Sequence, residues 1–436
     1  MNAWPNYWQW LVAPDPGKPV RNISAALAAE VLSGVAYGQT LTQTLEAANL
    51  NRQSDSTQGA VRDISYGVLR YKGELEGVLG HLLQKPLDDG FVHALLLSAL
   101  YQLAHTRAAP YAVVNNAVEA APRKYRNLVN AVLRNFQRKQ EALLSGAAQT
   151  VEGRTNHPAW WVEKLQTAYP VEWEHILAAS QLHPPMTLRA NRRKTTVEQV
   201  MAELLSAGIG ARQTGPWAIT FDKPVPVGKI PGFAEGKLSV QDAGAQWAAA
   251  LLDVKNGQRV LDACAAPGGK AGHILETADV DVMALDLDET RLGRVQQNLD
   301  RLGLPAQLKT GDAAQPSSWW DGRPFDRILA DVPCSASGVE RRNPDIKWLR
   351  RPEDIRKFAR QQSAILDALW LILAPGGKLL YVTCSIFPEE NAQQIQSFLA
   401  RHTDAIRLAL PEELGDGQLL PDDDHDGFFY ALLQRA

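Results

Sequence analysis

Cysteine is scarce in this 436-residue sequence, which contains only Cys264, Cys334 and Cys384. Three cysteines in a chain of this length do not form a disulfide framework, so a reducing compartment is expected. The sequence also has no run of about 18 or more apolar residues, and no basic residue precedes the short apolar run near its start. Neither a membrane span nor a signal peptide is therefore predicted, and we expect a soluble, cytoplasmic, monomeric protein.

A large excess of charge of one sign is also absent, because the formal net charge is only −3 at pH 7. This balance argues against indiscriminate binding to polyanions, yet two local runs are strongly basic. A single basic helix is usually a solvated surface, and that alternative stays open for each run. Two such runs in an acidic chain favour a phosphate backbone as the partner, since phosphate contacts provide most of the affinity for nucleic acids. The candidate contacts are Arg123, Lys124, Arg126, Arg134 and Arg138 in the first run, and Arg341, Arg342 and Lys347 in the second.

Hydrophobic periodicity divides the chain into regions of different type. Helical spacing dominates the first third, and strands and helices mix in the middle. In the last part strands alternate with helices, which is typical of a doubly wound parallel sheet. The predicted regions are an amino-terminal extension at 1–19, an all-α domain at 20–146, a linker at 147–157, a small α+β domain at 158–240 and an α/β domain at 241–436.

The α/β domain carries a glycine-containing turn between its first predicted strand and helix, where a ligand can approach the backbone closely. The turn has neither the G-x-G-x-x-G of dinucleotide-binding proteins nor the G-x-x-x-x-G-K-[ST] of phosphate-binding loops. Acids at the ends of the next strands suit a nucleoside ligand without a pyrophosphate, and S-adenosylmethionine fits this pattern best. A generic α/β turn rich in small residues is the alternative. The candidate cofactor residues are Cys264, Ala265, Ala266, Pro267, Gly268, Gly269, Lys270, Asp286, Asp312 and Asp331.

All three cysteines lie at predicted strand ends on the same rim. Cys334 follows the fourth strand and Cys384 the fifth, and these strands are neighbours in the usual methyltransferase order, so the two thiols are expected to face one pocket. Any one cysteine alone is more often a buried packing residue, but three at one rim favour chemistry. No C-x-x-C pair and no histidine cluster accompanies them. Neither a zinc site nor a cysteine–histidine hydrolase is therefore indicated, and no metal is predicted.

Three motifs of this domain carry a family resemblance: LDACAAPGGK, LADVPCSASGVERRNPDIKW and YVTCSIFPEEN. They resemble the signature motifs of the RNA cytosine-C5 methyltransferases, and in particular the bacterial ribosomal enzymes of that family. The resemblance implies a Rossmann-like, class I S-adenosylmethionine-dependent methyltransferase domain with a mostly parallel seven-stranded sheet. Residues 20–146 are similar to the NusB-like RNA-binding domain that such enzymes carry. One departure is Val332, at a position where the family usually has alanine.

The resemblance also implies a reaction and a role for each site residue. The expected activity is methylation of carbon 5 of a specific cytosine in 16S rRNA, with S-adenosylmethionine as the methyl donor. Cys384 would attack carbon 6 of the base, Cys334 would assist release of the product, and Asp331 would hydrogen-bond the N3/N4 edge of cytosine. Lys270 is expected to favour a thiolate, as nearby cations do. Two alternatives are a methyltransferase that acts on tRNA or another RNA, and a non-catalytic RNA-binding or assembly factor that has kept the fold.

Overall fold

The computed structural model describes residues 23–436, which form two compact units. The first unit ends at Ala159, and the second runs from Trp160 to Ala436. The extension predicted at residues 1–19 lies outside the described residues. Within residues 23–436, no helix combines the length and the apolar character that a membrane crossing requires.

The described part of the first unit is helical, as its apolar periodicity predicts. In the helix Gly90–His105, Leu95 and Leu100 are fully buried, because apolar side chains surround most of its circumference. The side chain of Asp89 caps this helix by accepting a hydrogen bond from the backbone N–H of Val92. The helices of the unit are α1 (Ile23–Ala36), α2 (Leu41–Ala47), α3 (Asp55–Arg70), α4 (Lys72–Leu82), α5 (Gly90–His105), α6 (Pro110–Ala120), α7 (Arg126–Ala147) and α8 (Val151–Thr155).

The stretch interpreted as a linker, residues 147–157, is a structured part of this unit. It contains α8, which is capped by the hydroxyl of Thr150, an acceptor for the N–H of Gly153 at 3.0 Å. A Cβ atom on Gly153 would lie 2.0 Å from the carbonyl oxygen of Ala147, so the chain packs tightly here. The polar composition that suggested a linker reflects capping and turn residues instead.

The second unit begins with a small α+β layer. Its elements are α9 (Ala159–Ala168), α10 (Trp173–Gln181), β1 (Thr187–Ala190), α11 (Val197–Ser206), β2 (Ala211–Gln213), β3 (Ala218–Phe221) and β4 (Leu238–Val240). The four strands are antiparallel in the order β2-β3-β1-β4, and the paired residues Leu188 and Ile219 are fully buried. The strands β1 and β3 lie in the region where the sequence predicts a mixture of strands and helices. The strands β2 and β4 are only three residues long, too short to display alternation.

The main sheet follows this layer and fills the rest of the unit. Seven of its strands lie in the order β10-β12-β9-β8-β5-β6-β7. The short strand β11 pairs with β12 and is not part of this order. Strands β5 to β9 are mutually parallel, whereas β12 is antiparallel to both β9 and β10. The predicted Rossmann-like, mostly parallel sheet is confirmed. The elements are α12 (Trp247–Leu252), β5 (Arg259–Asp262), α13 (Gly269–Thr277), β6 (Asp281–Asp286), α14 (Glu289–Leu302), β7 (Gln307–Thr310), β8 (Phe325–Asp331), α15 (Ile346–Leu349), α16 (Pro352–Leu371), β9 (Leu373–Thr383), α17 (Ala392–Arg401), β10 (Ala405–Arg407), β11 (Gln418–Leu419) and β12 (Phe428–Arg435).

The parallel order brings the carboxyl ends of several strands to one edge of the sheet. The central strands are continuous apolar runs buried on both faces, as fully buried Leu329 in β8 and Leu380 in β9 illustrate. Strands β5, β6 and β8 end in Asp262, Asp286 and Asp331, respectively. This is the edge at which open α/β sheets bind ligands.

Candidate active site

Two thiols meet just beyond the ends of β8 and β9. These strands are parallel neighbours in which Asp331 lies opposite Val382, so the segments that follow them leave the sheet side by side. The Sγ atoms of Cys334 and Cys384 are 3.4 Å apart. Cys334 is buried, whereas Cys384 is partly exposed. The two thiols are therefore adjacent, as expected for cysteines that follow neighbouring strands.

Cys334 is held in its protonated form by its surroundings. Its hydrogen bond with Cys384 raises the pKa of the Cys334 thiol well above the usual range, and burial and the negative charges of Cys384 and Glu390 act in the same direction. A thiol with a raised pKa is a poor nucleophile at neutral pH. The two cysteines therefore differ in environment, with the buried one suited to donating a hydrogen bond.

An ion pair lies next to the thiols. Nζ of Lys270 is 2.5 Å from Oδ2 of Asp331, and both side chains are mostly buried. Burial alone lowers the pKa of Lys270, but the charge of Asp331 and the hydrogen bond to it outweigh burial and raise the pKa above its ordinary value. A thiolate at Cys384 would act in the same direction, so the lysine is within electrostatic reach of that sulfur.

The predicted cofactor turn, Cys264–Lys270, joins β5 to α13. Gly268 has a φ of +96°, and a Cβ atom there would lie 3.1 Å from the backbone of α14, so both conformation and space require glycine. Outside its own helix and neighbours, no heavy atom lies within 4 Å of a Cβ built on Gly269, so the backbone is accessible there. Asp286 braces the turn by accepting from the N–H of Ala266 at 3.1 Å. Along the turn, Ala265 and Gly268 are buried, Cys264, Ala266, Gly269 and Lys270 are half-buried, and Pro267 is exposed.

Two further acids lie at this edge and differ in their hydrogen bonds. Asp312 follows β7, and its carboxylate accepts a hydrogen bond from a nearby residue of the same loop, the backbone N–H of Ala314, at 2.9 Å. Asp262, which is absent from the predicted site residues, is buried, and neither of its carboxylate oxygens has a well-formed hydrogen bond to the described residues. Burial, followed by the charge of Asp331, raises the pKa of Asp262 to about 7. Buried acceptors are normally paired, so Asp262 suits a donor group on a ligand, and its place at a strand end is the sequence signal for it.

Cys264, the third cysteine, has a different character. It packs against the apolar core of the sheet, and burial, followed by the charge of Asp331, raises the pKa of its thiol. It therefore contributes to the turn as a small, protonated side chain. Among residues 23–436, no three His, Cys, Asp or Glu side chains are grouped so that they could hold a metal ion.

A second buried carboxylate, Glu390, contacts the segments that carry both thiols and is also absent from the predicted site residues. It accepts hydrogen bonds from the N–H of Ser335 at 2.8 Å and from the hydroxyl of Ser385 at 2.6 Å. Residues 388–390, which the sequence suggests as a helix start, form a separate turn, and α17 begins only at Ala392. The serine that follows each cysteine is the sequence signal that indicates this cluster.

The prediction that Arg341 and Lys347 contact RNA does not fit the places that the structure gives these side chains, whereas Arg342 is 30% exposed and stays a prediction. Arg341 and Lys347 are 1% exposed. Arg341 forms an ion pair with Asp426 at 2.5 Å, and Arg342 pairs with both Asp426 and Asp242. Internal acids neutralise the two arginines. This run therefore anchors the segment after Cys334 and does not form a basic surface.

The first basic run does lie on the surface. Val132 and Phe136 are buried on one face of α7, which confirms the amphipathic helix that the sequence predicts. Arg126 keeps its exposure although its guanidinium donates to the carbonyl oxygen of Ala121 at 3.2 Å. The exposed cations are Arg123, Lys124, Arg126, Arg134 and Arg138. These five side chains remain candidates for RNA contacts.

Each of the three regions matches a described protein family. The family described as 16S rRNA methyltransferase RsmB/F matches residues 249–434. A ferredoxin-like domain of RsmF/B-like methyltransferases matches residues 157–228, and the NusB family matches residues 23–138.

Individual proteins resemble the chain over most of its length. The chain is 44% identical over 427 residues to the ribosomal RNA small subunit methyltransferase B of Salmonella newport (strain SL254), which covers 95% of this chain and 99% of that protein. A solved methyltransferase homolog protein from Pyrococcus horikoshii is 27% identical, covers 65% of this chain and 97% of its own, and has a TM-score of 0.58. The crystal structure of PH0851 is 24% identical, covers 94% of this chain and 98% of its own, and has a TM-score of 0.78, a likeness that shows the fold alone.

Proposed function

The chain belongs to the RsmB/F family of 16S rRNA methyltransferases, and we propose that it methylates carbon 5 of a cytosine in 16S rRNA through a covalent bond to Cys384. The observation that carries this proposal is the 3.4 Å distance between the Sγ atoms of Cys334 and Cys384 at the ligand-binding edge. One sulfur is available to attack a base, and the other lies beside it to assist its departure. A direct methyl transfer without a covalent adduct gives no role to a pair of thiols.

The chemistry of cytosine explains why a thiol is needed. Carbon 5 is a weak nucleophile and must be activated before it accepts a methyl group. When the thiolate of Cys384 adds to carbon 6, the electrons of the ring double bond make carbon 5 nucleophilic, and carbon 5 forms its bond to the methyl group. Transfer of the proton from carbon 5 to solvent restores the double bond and breaks the bond between sulfur and carbon 6, whose electron pair leaves with the sulfur. The methylated base and a free thiolate result.

Cys334 assists the last step of this sequence. Because its pKa is raised, first by the hydrogen bond to Cys384 and then by burial, it stays a thiol and does not compete for the base. A neutral thiol 3.4 Å from the bonded sulfur donates a hydrogen bond to it as negative charge develops there. Without this donor, the enzyme remains attached to the product.

The carboxylate of Asp331 accepts a hydrogen bond from the N4 amino group of the cytosine and from N3 once that nitrogen has taken a proton from solvent. It thereby stabilises the positive charge that the proton brings to the ring, which makes carbon 6 more open to attack. Its ion pair with Lys270, at 2.5 Å, supports this role because it fixes the carboxylate at the end of β8. The same pair keeps a positive charge near the sulfur of Cys384. In a mostly buried site, these charges act more strongly than they would in water.

S-adenosylmethionine, when bound, would supply the methyl group: the bond from its sulfonium sulfur to the methyl carbon would break as carbon 5 bonds to that carbon, and a neutral thioether would leave. The residues that would hold it are the turn Cys264–Lys270 together with Asp262, Asp286 and Asp312. The buried carboxylate of Asp262, whose oxygens make no well-formed hydrogen bond to the described residues, suits a positively charged amino group, and the accessible backbone at Gly269 allows close approach. Asp286 braces the turn, and its oxygens retain lone pairs for ribose hydroxyls.

The substrate RNA must present its cytosine unpaired or flipped, because a duplex hides carbon 6 from a thiol. The exposed cations of the first basic run, from Arg123 to Arg138, are the proposed contacts with its phosphates. We further infer that the enzyme works in the cytoplasm, where rRNA is made and assembled, and that it acts as a monomer.

Bisulfite sequencing of RNA from cells with and without the gene tests the proposal. One protected cytosine in 16S rRNA is expected to become sensitive to deamination when the gene is removed, and the wild-type chain should restore its protection. Loss of protection at a tRNA position, with 16S rRNA unchanged, would mean that the substrate is tRNA and not 16S rRNA. No change in any RNA would favour a non-catalytic RNA-binding factor.

A further inference from the structure

Glu390 is a carboxylate with no exposed surface, and donors from its surroundings occupy both of its oxygens. Its Oε1 accepts from the N–H of Ser335 at 2.8 Å and from the side-chain amide of Gln362 at 3.1 Å. Its Oε2 accepts from the hydroxyl of Ser335 at 2.5 Å and from the hydroxyl of Ser385 at 2.6 Å. Burial raises the pKa of Glu390 above its usual value, and these four hydrogen bonds, none of them from a cation, oppose that shift.

The same cluster joins the two thiol-bearing segments directly. The hydroxyls of Ser335 and Ser385 are 3.1 Å apart, and that of Ser337 lies 3.0 Å from that of Ser385. Ser335 is the residue after Cys334, and Ser385 is the residue after Cys384. A displacement of either serine therefore moves a thiol.

A carboxylate suits this position because it only accepts hydrogen bonds. The donors on Oε1 are the backbone N–H of Ser335, which cannot accept, and the side-chain NH₂ of Gln362, which is oriented by its second hydrogen bond to the carbonyl oxygen of Pro333 at 3.0 Å. In Glu390→Gln the new NH₂ group must face the hydroxyls of Ser335 and Ser385, which then accept from residue 390 and can no longer donate to it. The substitution preserves volume but weakens the connection between the segments, because charge-assisted hydrogen bonds are stronger than neutral ones.

We propose that Glu390 is a positioning residue, which fixes Cys334 and Cys384 against each other by holding the segments after β8 and β9 through Ser335 and Ser385. The effect on catalysis rests on the function proposed above. The effect on the alignment of the two thiols is independent of that function, because the alignment can be measured without RNA and without cofactor.

The first experiment measures that alignment by oxidation with diamide. Two thiols give up two hydrogens and two electrons to the N=N bond of diamide, which becomes a hydrazine, and an S–S bond forms between the sulfurs. The rate of Cys334–Cys384 crosslinking is followed by peptide mass mapping in the wild type, Glu390→Gln and Glu389→Gln. Glu389 is the matched control because it is the adjacent residue, is partly exposed, and pairs with Lys164 outside the cluster. Crosslinking is expected to be slower in Glu390→Gln alone.

The second experiment measures methyl transfer to 16S rRNA by the same three proteins. Misplacement of a reacting group by about 1 Å costs on the order of 100-fold in rate, so kcat of Glu390→Gln should fall by about that factor. The KM for RNA and the affinity for S-adenosylmethionine should stay at wild-type values, which distinguishes misaligned thiols from a generally disrupted site. Should Glu390→Gln fail to fold, Ser385→Ala removes one hydroxyl from the cluster and is expected to show the same two effects.

The outcomes separate the proposal from the proposed function. Equal crosslinking rates in Glu390→Gln and Glu389→Gln would overturn the positioning role. Slower crosslinking with an unchanged kcat would overturn its importance for catalysis. Slower crosslinking in a protein whose wild type transfers no methyl group would support the positioning role while rejecting the proposed function.

Discussion

Lys270 and Asp331 form an ion pair, with Nζ 2.5 Å from Oδ2, that joins the turn after β5 to the end of β8. The lysine belongs to the predicted cofactor turn, and the aspartate precedes the first of the two thiols by three positions in the chain. Although burial lowers the pKa of Lys270, the charge of Asp331 raises it above its ordinary value, so the lysine is cationic at neutral pH. The pair therefore connects the proposed cofactor site to the proposed base site.

Asp331→Asn is expected to lower the single-turnover rate of methyl transfer by about 100- to 1,000-fold, because a neutral amide no longer stabilises the positive charge of the ring protonated at N3. Lys270 also loses its counter-ion, so its pKa should fall because burial then dominates. A single-turnover assay on 16S rRNA measures the rate. Asp321→Asn removes a more exposed carboxylate that pairs with Arg323, and it should keep the wild-type rate. A wild-type rate for Asp331→Asn would contradict the role of this carboxylate.

Asp262 is expected to make the cofactor-free protein less stable as the pH rises. Its folded-state pKa is raised to about 7, above the value of about 4 for an unfolded aspartate, so between these values the folded chain binds more protons. Its contribution to stability is fully present below about pH 4, falls by about 1.4 kcal/mol per pH unit through the window, and is constant above about 7.

Asp262→Asn removes this titration. Urea unfolding of the two proteins between pH 5 and 8 should show the variant gaining stability relative to the wild type up to about pH 7. Parallel stability curves would contradict the raised pKa. Weaker binding of S-adenosylmethionine to the variant is expected in addition, because the carboxylate is the proposed acceptor for its amino group.

Arg341→Met is expected to destabilise the fold by about 3 kcal/mol, since removal of one partner leaves the buried charge of Asp426 poorly compensated. Guanidinium chloride unfolding gives the difference in free energy. Arg212→Met is the matched control, because its partner Asp424 and the arginine itself are both exposed, and such pairs contribute about 0–1 kcal/mol. Equal stabilities for the two variants would mean that Arg341 is not the buried anchor described above.

Arg134 and Arg138 are expected to contribute to RNA affinity through phosphate contacts. The double variant Arg134→Gln/Arg138→Gln should bind 16S rRNA more weakly and reduce the slope of log affinity against log salt by about 2, roughly one per lost contact. Arg62→Gln removes an exposed cation of the same unit outside this run and should leave the slope unchanged. Identical slopes for the double variant and the wild type would exclude these two arginines from the interface.

The strands of the main sheet are predictable because they are long apolar runs with chemistry at their ends. Leu379 to Val382 form such a run, which ends before Cys384, and the parallel order of β8 and β9 follows from alternating strands and helices. The meeting of Cys334 and Cys384 is a consequence of that order. The short strands β2 and β4 escape prediction because three residues do not display a period.

The burial of a charge is harder to predict because its partner is distant in sequence. Arg342 lies in a run that looks like a basic surface, yet its counter-ion Asp426 comes 84 residues later. Glu390 accepts from Ser335, 55 residues away, so the residues around it suggest only a helix start. Sequence patterns show which residues carry charge, whereas tertiary packing decides which of them face solvent.

Trapping of the covalent adduct tests the central claim most directly. Cys334→Ala is mixed with S-adenosylmethionine and 16S rRNA, denatured, and examined by electrophoresis and peptide mass mapping. A denaturant-stable protein–RNA complex linked through Cys384 is expected to accumulate, while Cys384→Ala should form no adduct and transfer no methyl group. An adduct that forms through Cys334 in Cys384→Ala, or the absence of any adduct in Cys334→Ala, would contradict the assignment of Cys384 as the nucleophile.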